Sequence, residues 1–197
     1  AQQIFAALEQ DAFVSVASMQ VATSLEPAVS RERWRAMVDE IRAAIGSGAL
    51  RKVVAARYTQ LQSREPFDAL QVLARLDAAY PDCFRFGIWA QHQAFVGATP
   101  ERLVARRGRR VFADALAGSI AAEPSQPSPA ARLRASDKDR HEHALVTEAI
   151  AGTLRRWSSV LTLPTEPHVL SLRHVLHLHT PIVADLEKPV HVLDLVE

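Results

Sequence analysis

The stretch SDKDRHEHALV, Ser136 to Val146, sets Asp, Lys, Asp, Arg, His, Glu and His in close succession and then turns apolar. Acid–base and metal-ligand chemistry are both open to such side chains. Helix phase decides which of them faces inward. Leu145, Val146, Ala149, Ile150, Thr153, Leu154 and Trp157 recur at helical spacing and form one apolar stripe. Extended backward by one turn, that stripe meets Glu142, with Asp139 a further turn back. Lys138, His141 and His143 point elsewhere. An inward carboxylate is costly to bury unless it is neutral, paired or holding a cation. The plainer reading is a capped helix start whose acids complement the positive end of the helix dipole. It accounts for Asp137 and Asp139 better than for Glu142.

Lys52 raises the same question. In LRKVVAARYTQ, a breaker-free strand pattern, it shares a parity with Leu50, Val54, Ala56 and Tyr58. Such a lysine either snorkels from a strand end or is desolvated and able to act as a base. Glu101 follows GATP, where Gly and Pro set a sharp turn that holds a carboxylate well, although such a residue in isolation is more often a surface one. ALAGS, Ala115 to Ser119, ends a strand on Gly118 and a small hydroxyl. Exposed N–H groups there suit a carboxylate, or mark an ordinary strand exit. His177 and His179 share a strand face, but no CxxC or HExxH accompanies them, which argues against structural zinc.

The elements that must position these residues follow from periodicity. SRERWRAMVDEIRAAIGSG predicts a helix with Ser30 as its N-cap and Gly46 and Gly48 as its stop. FDALQVLARLDAAYPD predicts a second helix ending by Pro81. CFRFGIWA, AFVGA, RLVARR and RVFADALAGS read as short strands. EPSQPSPA, 123–130, reads as a surface loop, followed by the charged helix, then VLTL, HVLSL and HVLHLHTPIVADL as strands. A last helix begins near Pro189. Strands with interspersed helices predict a mixed α+β fold in layers.

Composition narrows the function classes. The 197 residues carry 48% apolar and 23% charged side chains and a net charge of +1, which gives no pull toward nucleic acid or membrane. The one basic run, ARRGRR at 105–110, sits between apolar segments and reads as a hairpin tip rather than a phosphate patch. The single Cys83 makes no internal disulfide, in keeping with a reducing cytoplasm. No apolar run reaches membrane-spanning length and no signal-peptide pattern is present.

Taken together and in this order, RKVVAAR, FVGATPERLV, ALAGS, SDKDRHEHALVTEAI and HLHTPI resemble the chorismate-utilising enzymes, most closely the isochorismate synthases. The resemblance runs from about residue 30 to the end, so that 1–197 reads as one partial chorismate-binding catalytic domain. It implies a layered α/β/β/α fold with two sheets flanked by helices. It also implies Mg²⁺-dependent conversion of chorismate to isochorismate, with water added at C2 and the C4 hydroxyl lost. Lys52 then looks like the base that activates the water, and Glu101 like the acid that protonates the departing hydroxyl. Glu142 looks like a ligand of the Mg²⁺ that holds the ring carboxylate, with Asp139 behind it. Gly118 and Ser119 match the loop whose backbone meets that carboxylate, and His177 matches a family histidine close to the ring.

Lys52 separates the chain from ammonia-using relatives such as anthranilate synthase component I, which typically carry Gln there; salicylate synthases share the Lys. Thr180 is similar to isochorismate synthases, since the other two groups usually have Ser. The alternatives are a salicylate synthase, an enzyme like anthranilate synthase component I, or an inactive chorismate-binding-like module with a structural or partner-binding role. The family pattern continues past the segment matching HVLDLVE into a second Mg²⁺-binding Glu and the Arg and Tyr that grip the pyruvyl carboxylate. The chain stops at Glu197 before these. The expectation is therefore a truncated, inactive chain with an exposed apolar sheet edge. At full length it would be a cytoplasmic monomer acting in menaquinone or siderophore biosynthesis.

Overall fold

Alternation of burial along two long strands is the organising feature of the computed structural model, which describes residues 22–196. The chain divides into two compact units between Ala74 and Arg75.

In the first unit, β1 (Ala22–Pro27) pairs antiparallel with β2 (Thr59–Ser63). Between them lies α1 (Arg31–Gly46), where Ser30 Oγ accepts from the Arg33 amide at 3.3 Å and Gly48 leaves the helix at φ +78°. The cap and stop signals thus act as their chemistry requires. The expected strand over LRKVVAARYTQ is corrected: regular pairing begins only at Thr59. Residues 52–58 have no strand assignment, and Val54 and Tyr58 are 77% and 70% exposed. Strand propensity is realised only where side chains pack on a pleated neighbour, and the parity shared by Lys52 meets no such surface among the described residues. AQQIFAALEQ lies outside them.

Helix α2 (Ala69–Ala79), in which the division falls, stops two residues short of Pro81. In the second unit, β3 (Phe84–Ala90) and β4 (Gln93–Thr99) form a hairpin with Gln91 at φ +53°. The short β5 (Ala105–Arg107) turns at Gly108 into β6 (Arg110–Ala121), so the basic run is a hairpin tip. Its arginines hold the fold: Arg109 Nε donates to the Leu186 carbonyl at 2.7 Å, and Arg110 pairs with Asp185 at 3.3 Å. Then come α3 (Pro129–Ala135), which the Pro/Ser-rich pattern did not announce, α4 (Asp137–Arg155), β7 (Ser158–Thr162), β8 (His168–Ser171) and β9 (Val175–Leu186). The last predicted helix is one 3₁₀ turn, Val192–Leu195.

β9 is central: it pairs antiparallel with β6 on one side and with β7 and β8 on the other. Val111, Ala113, Ala115 and Ala117 alternate with Leu176, Leu178, Thr180, Ile182, Ala184 and Leu186 on one buried face. α4 lies on that face and inserts Leu154 among Val111, Ala113, Ala115 and Ile182. A period of two on the sheet thus meets a period of 3.6 on the helix. The alanines of β6 let the helix approach closely, and the opposite sheet face is left for Asp114, Leu116, Ser119, His177 and His179.

Candidate active site

Gly118 interrupts the β6–β9 register between Ala117 and Ser119 and sits at φ +75°. An added Cβ would lie 3.0 Å from both the Cβ and the carbonyl oxygen of Asp139. Glycine is required twice over, by the left-handed backbone and by the first turn of α4 lying against the bulge. The Gly118→Ala variant is expected to lose about 1–3 kcal/mol, read as a lower denaturation midpoint in urea. An unchanged midpoint would show that the bulge relaxes freely.

The helix start that meets this bulge is capped by Ser136, whose Oγ accepts from the Asp139 amide at 3.2 Å. The Lys138 ammonium reaches Asp139 Oδ1 at 3.0 Å and Glu142 Oε2 at 3.5 Å, joining the two carboxylates. Their side chains are 14% and 32% exposed. Burial pushes the Asp139 carboxyl up, but hydrogen bonding with Ser136 and the Lys138 ammonium outweigh it and hold it below the ordinary carboxylate range. The bond to Asp139 first, then the charge of the two carboxylates, raises Lys138 despite some desolvation.

The sequence-based phase of α4 needs correction here. The buried polar residue of this turn is His143, at 4% exposure, and Glu142 stands at the margin. His143, Ala151 and Leu154 mark the inward line, about one residue's rotation from the line drawn through Glu142. A histidine enters the core because both ring nitrogens are satisfied. Nδ1 lies 3.2 Å from the Ala117 carbonyl and Nε2 lies 2.8 Å from Thr180 Oγ1. The carbonyl can only accept, so Nδ1 carries a proton; in the neutral ring the Thr180 hydroxyl then donates to Nε2. Lys138, expected to point away, instead bridges the acids. No signal in the linear pattern singled out His143, because only the tertiary structure supplies its two partners.

On the opposite sheet face, His177 pairs in register with Ser119, and Ser119 Oγ lies 2.8 Å from His177 Nδ1. Burial holds the His177 imidazole below its usual value. The folded chain therefore binds fewer protons at this site than the unfolded chain once pH falls under about 6.5. Stability should drop as pH goes from about 6.5 down to the folded-state value. His177→Gln should flatten that part of the curve, measured as urea midpoints at several pH values. An identical slope would place the effect elsewhere.

Glu101 stands exposed on the β4–β5 turn, with its amide donating to Thr99 Oγ1 at 3.2 Å. Lys52, half-buried, belongs to the first unit. The structure thus joins Gly118 to Asp139, Asp139 to Glu142 through Lys138, and Ser119 to His177. A cleft of about 590 Å³ opens beside Asp139, Arg132 and Ile120, a volume in the usual range for small-molecule sites. Among the described residues no group of three or more His, Cys, Asp or Glu is placed to hold a metal. Mg²⁺ is commonly bound through one or two carboxylates, with water and substrate oxygens completing its shell. Asp139 and Glu142 offer two carboxylates of that kind, joined here by the Lys138 ammonium.

A protein-family profile described as "Chorismate binding enzyme" matches residues 1–197. The salicylate biosynthesis isochorismate synthase of Pseudomonas aeruginosa is 38% identical over 162 residues, covering 81% of this chain and 34% of that protein. Isochorismate synthase DhbC of Bacillus subtilis is 32% identical over 178 residues, covering 84% of this chain and 44% of the relative. Among solved structures, the menaquinone-specific isochorismate synthase MenF of Escherichia coli superimposes with a TM-score of 0.78 at 30% identity, covering 98% of this chain and 46% of that one. The chain spans less than half the length of these relatives.

Proposed function

Since this chain belongs to the chorismate binding enzymes, we propose that it supplies part of the catalytic machinery of an isochorismate synthase, which exchanges the C4 hydroxyl of chorismate for a hydroxyl at C2. The carrying observation is the Gly118 bulge against Asp139, which sets the ALAGS backbone beside the acidic start of α4. N–H groups at the bulge suit a ring carboxylate. Asp139 and Glu142 would hold Mg²⁺, whose contribution is to neutralise that carboxylate; Lys138 now occupies the space between the two acids.

In this reading Lys52 removes a proton from the water that forms the new C2–O bond. The ring double bond migrates, and the C4–O bond breaks. Glu101 gives its proton to the departing hydroxyl, which leaves as water. One proton is taken and one is given, so the net change is an isomerisation. His177, kept neutral by burial and joined to Ser119, orients the ring without adding charge. The substrate is a small molecule, with no role for nucleic acid, and a reducing cytoplasm suits the buried free thiol of Cys83. Among the described residues no helix is long and apolar enough to cross a membrane.

The test is an assay with chorismate and Mg²⁺, with the products separated by chromatography. It is run on this chain and on a version extended to the length of the relatives. Isochorismate formation by the extended version supports the reading. Salicylate or anthranilate as the sole product would reassign it within the family, and no turnover by either protein would favour a binding module.

A further inference from the structure

We propose that Asp114 is the positioning residue for Glu101, held in that role by His179. The inference rests on the reading of Glu101 as the catalytic acid and adds what keeps it in place.

Glu101 sits on an exposed turn, and an exposed turn alone holds a proton donor loosely. This turn is fastened at both ends. At its start the Glu101 amide donates to Thr99 Oγ1 at 3.2 Å. At its end Arg102 is stitched to the middle of β6: its amide donates to Asp114 Oδ2 at 3.3 Å, and its carbonyl accepts from the Asp114 amide at 3.1 Å. The Arg102 guanidinium adds a longer contact to the same Oδ2 at 3.9 Å and lies over the Phe84 ring at 5.4 Å. Phe84 is the register partner of Thr99, so the stacking returns to the residue that caps Glu101.

Asp114 can grip Arg102 only if its carboxylate is held in one rotamer. Its side chain is 12% exposed, and its other oxygen, Oδ1, lies 2.9 Å from His179 Nε2. A carboxylate is an acceptor, so Nε2 carries the proton of that bond. Asp114 faces Pro181 across the ladder and His179 faces Leu116, which makes the two diagonal neighbours on one face, within reach of long side chains. Both oxygens of Asp114 are therefore engaged, one by the turn that carries Glu101 and one by the central strand. This pair lies on the same sheet face as His177 and Ser119, so Glu101 is registered to the strand that carries His177.

The test needs no substrate. Backbone ¹⁵N relaxation and hydrogen exchange are measured on the chain and on Asp114→Ala, Asp114→Asn and His179→Ala. In the parent chain the Glu101 amide should show an order parameter of about 0.85, and in Asp114→Ala it should fall below about 0.6. Exchange of the Arg102 amide should rise at least tenfold in that variant. Asp114→Asn keeps an oxygen acceptor and should recover most of both signals, whereas loss of generic packing would not be mended by an amide. His179→Ala should give a partial loosening. Order parameters in the β3–β4 hairpin should stay unchanged throughout. If Asp114→Ala fails to fold, Asp114→Asn and the protection of Arg102 in the parent chain still decide. A rigid Glu101 in Asp114→Ala, an already fast-exchanging Arg102 amide in the parent, or no recovery in Asp114→Asn would each overturn the proposal. Absence of isochorismate formation by the parent protein extended to the relatives' length would count against the proposed function, while the order parameters would still decide whether Asp114 fixes Glu101.

Discussion

Glu101→Gln is expected to lower isochorismate formation by about 10²–10⁴-fold, the usual contribution of one positioned general acid, while the fold is kept. The amide is close in size to the carboxyl but has no proton of suitable acidity for the departing C4 hydroxyl. The backbone of the turn is held by Thr99 and by Arg102 on Asp114, not by the Glu101 carboxyl alone, so the geometry should survive the substitution. Chorismate affinity should change little, because in the proposed role the side chain acts on the bond that breaks. The measurement is kcat and KM for the version extended to the relatives' length, beside its thermal midpoint. Near-normal kcat at neutral pH would mean that another group delivers the proton. A lowered midpoint would point to a structural role.

Lys52→Ala is the second large effect, again about 10²–10⁴-fold in kcat with chorismate still bound. A base matters to the step in which water attacks C2 and hardly at all to binding, so the loss should appear in kcat. Lys52 lies on a stretch without regular strand pairing, half-buried beside exposed Val53 and Val54. The thermal midpoint, read beside kcat, separates a structural effect from loss of the base. Lys52→Arg is the sharper companion. It keeps the positive charge but scarcely gives up a proton near neutral pH, so it should be nearly as inactive as Ala. An active Arg variant would show that the charge, not the proton transfer, is what position 52 supplies.

Much of this protein was legible in its sequence, for reasons that are local. Ser30 and Ser136 cap the helices that follow them because a side-chain oxygen answers an orphan N–H of its own turn. The alternation of β6 and β9 was visible because each strand carries its period of two within itself. Gly108 turns the basic hairpin for the same local reason. The motif order, GATPERL, ALAGS, KDRHEH and HLHT, pointed to the family that the whole-chain match establishes.

Tertiary structure decided what depends on a partner distant in the chain. LRKVVAAR has the composition of a strand, yet pairing starts only at Thr59, since a strand exists by virtue of the neighbour it bonds. The phase of α4 was off by one residue because an apolar stripe fixes a helix face only to within a wide arc. The Ala117 carbonyl and the Thr180 hydroxyl, neither of them nearby in sequence, made His143 the buried member rather than Glu142. Gly118 read as a strand exit or a carboxylate loop; its contact with Asp139 shows that it is the place where helix and sheet come too close for a Cβ. The partnership of Asp114 with Arg102 and His179 had no linear signature, because twelve and sixty-five residues separate Asp114 from them and only the register of β6 on β9 and the return of the β4–β5 turn bring them together.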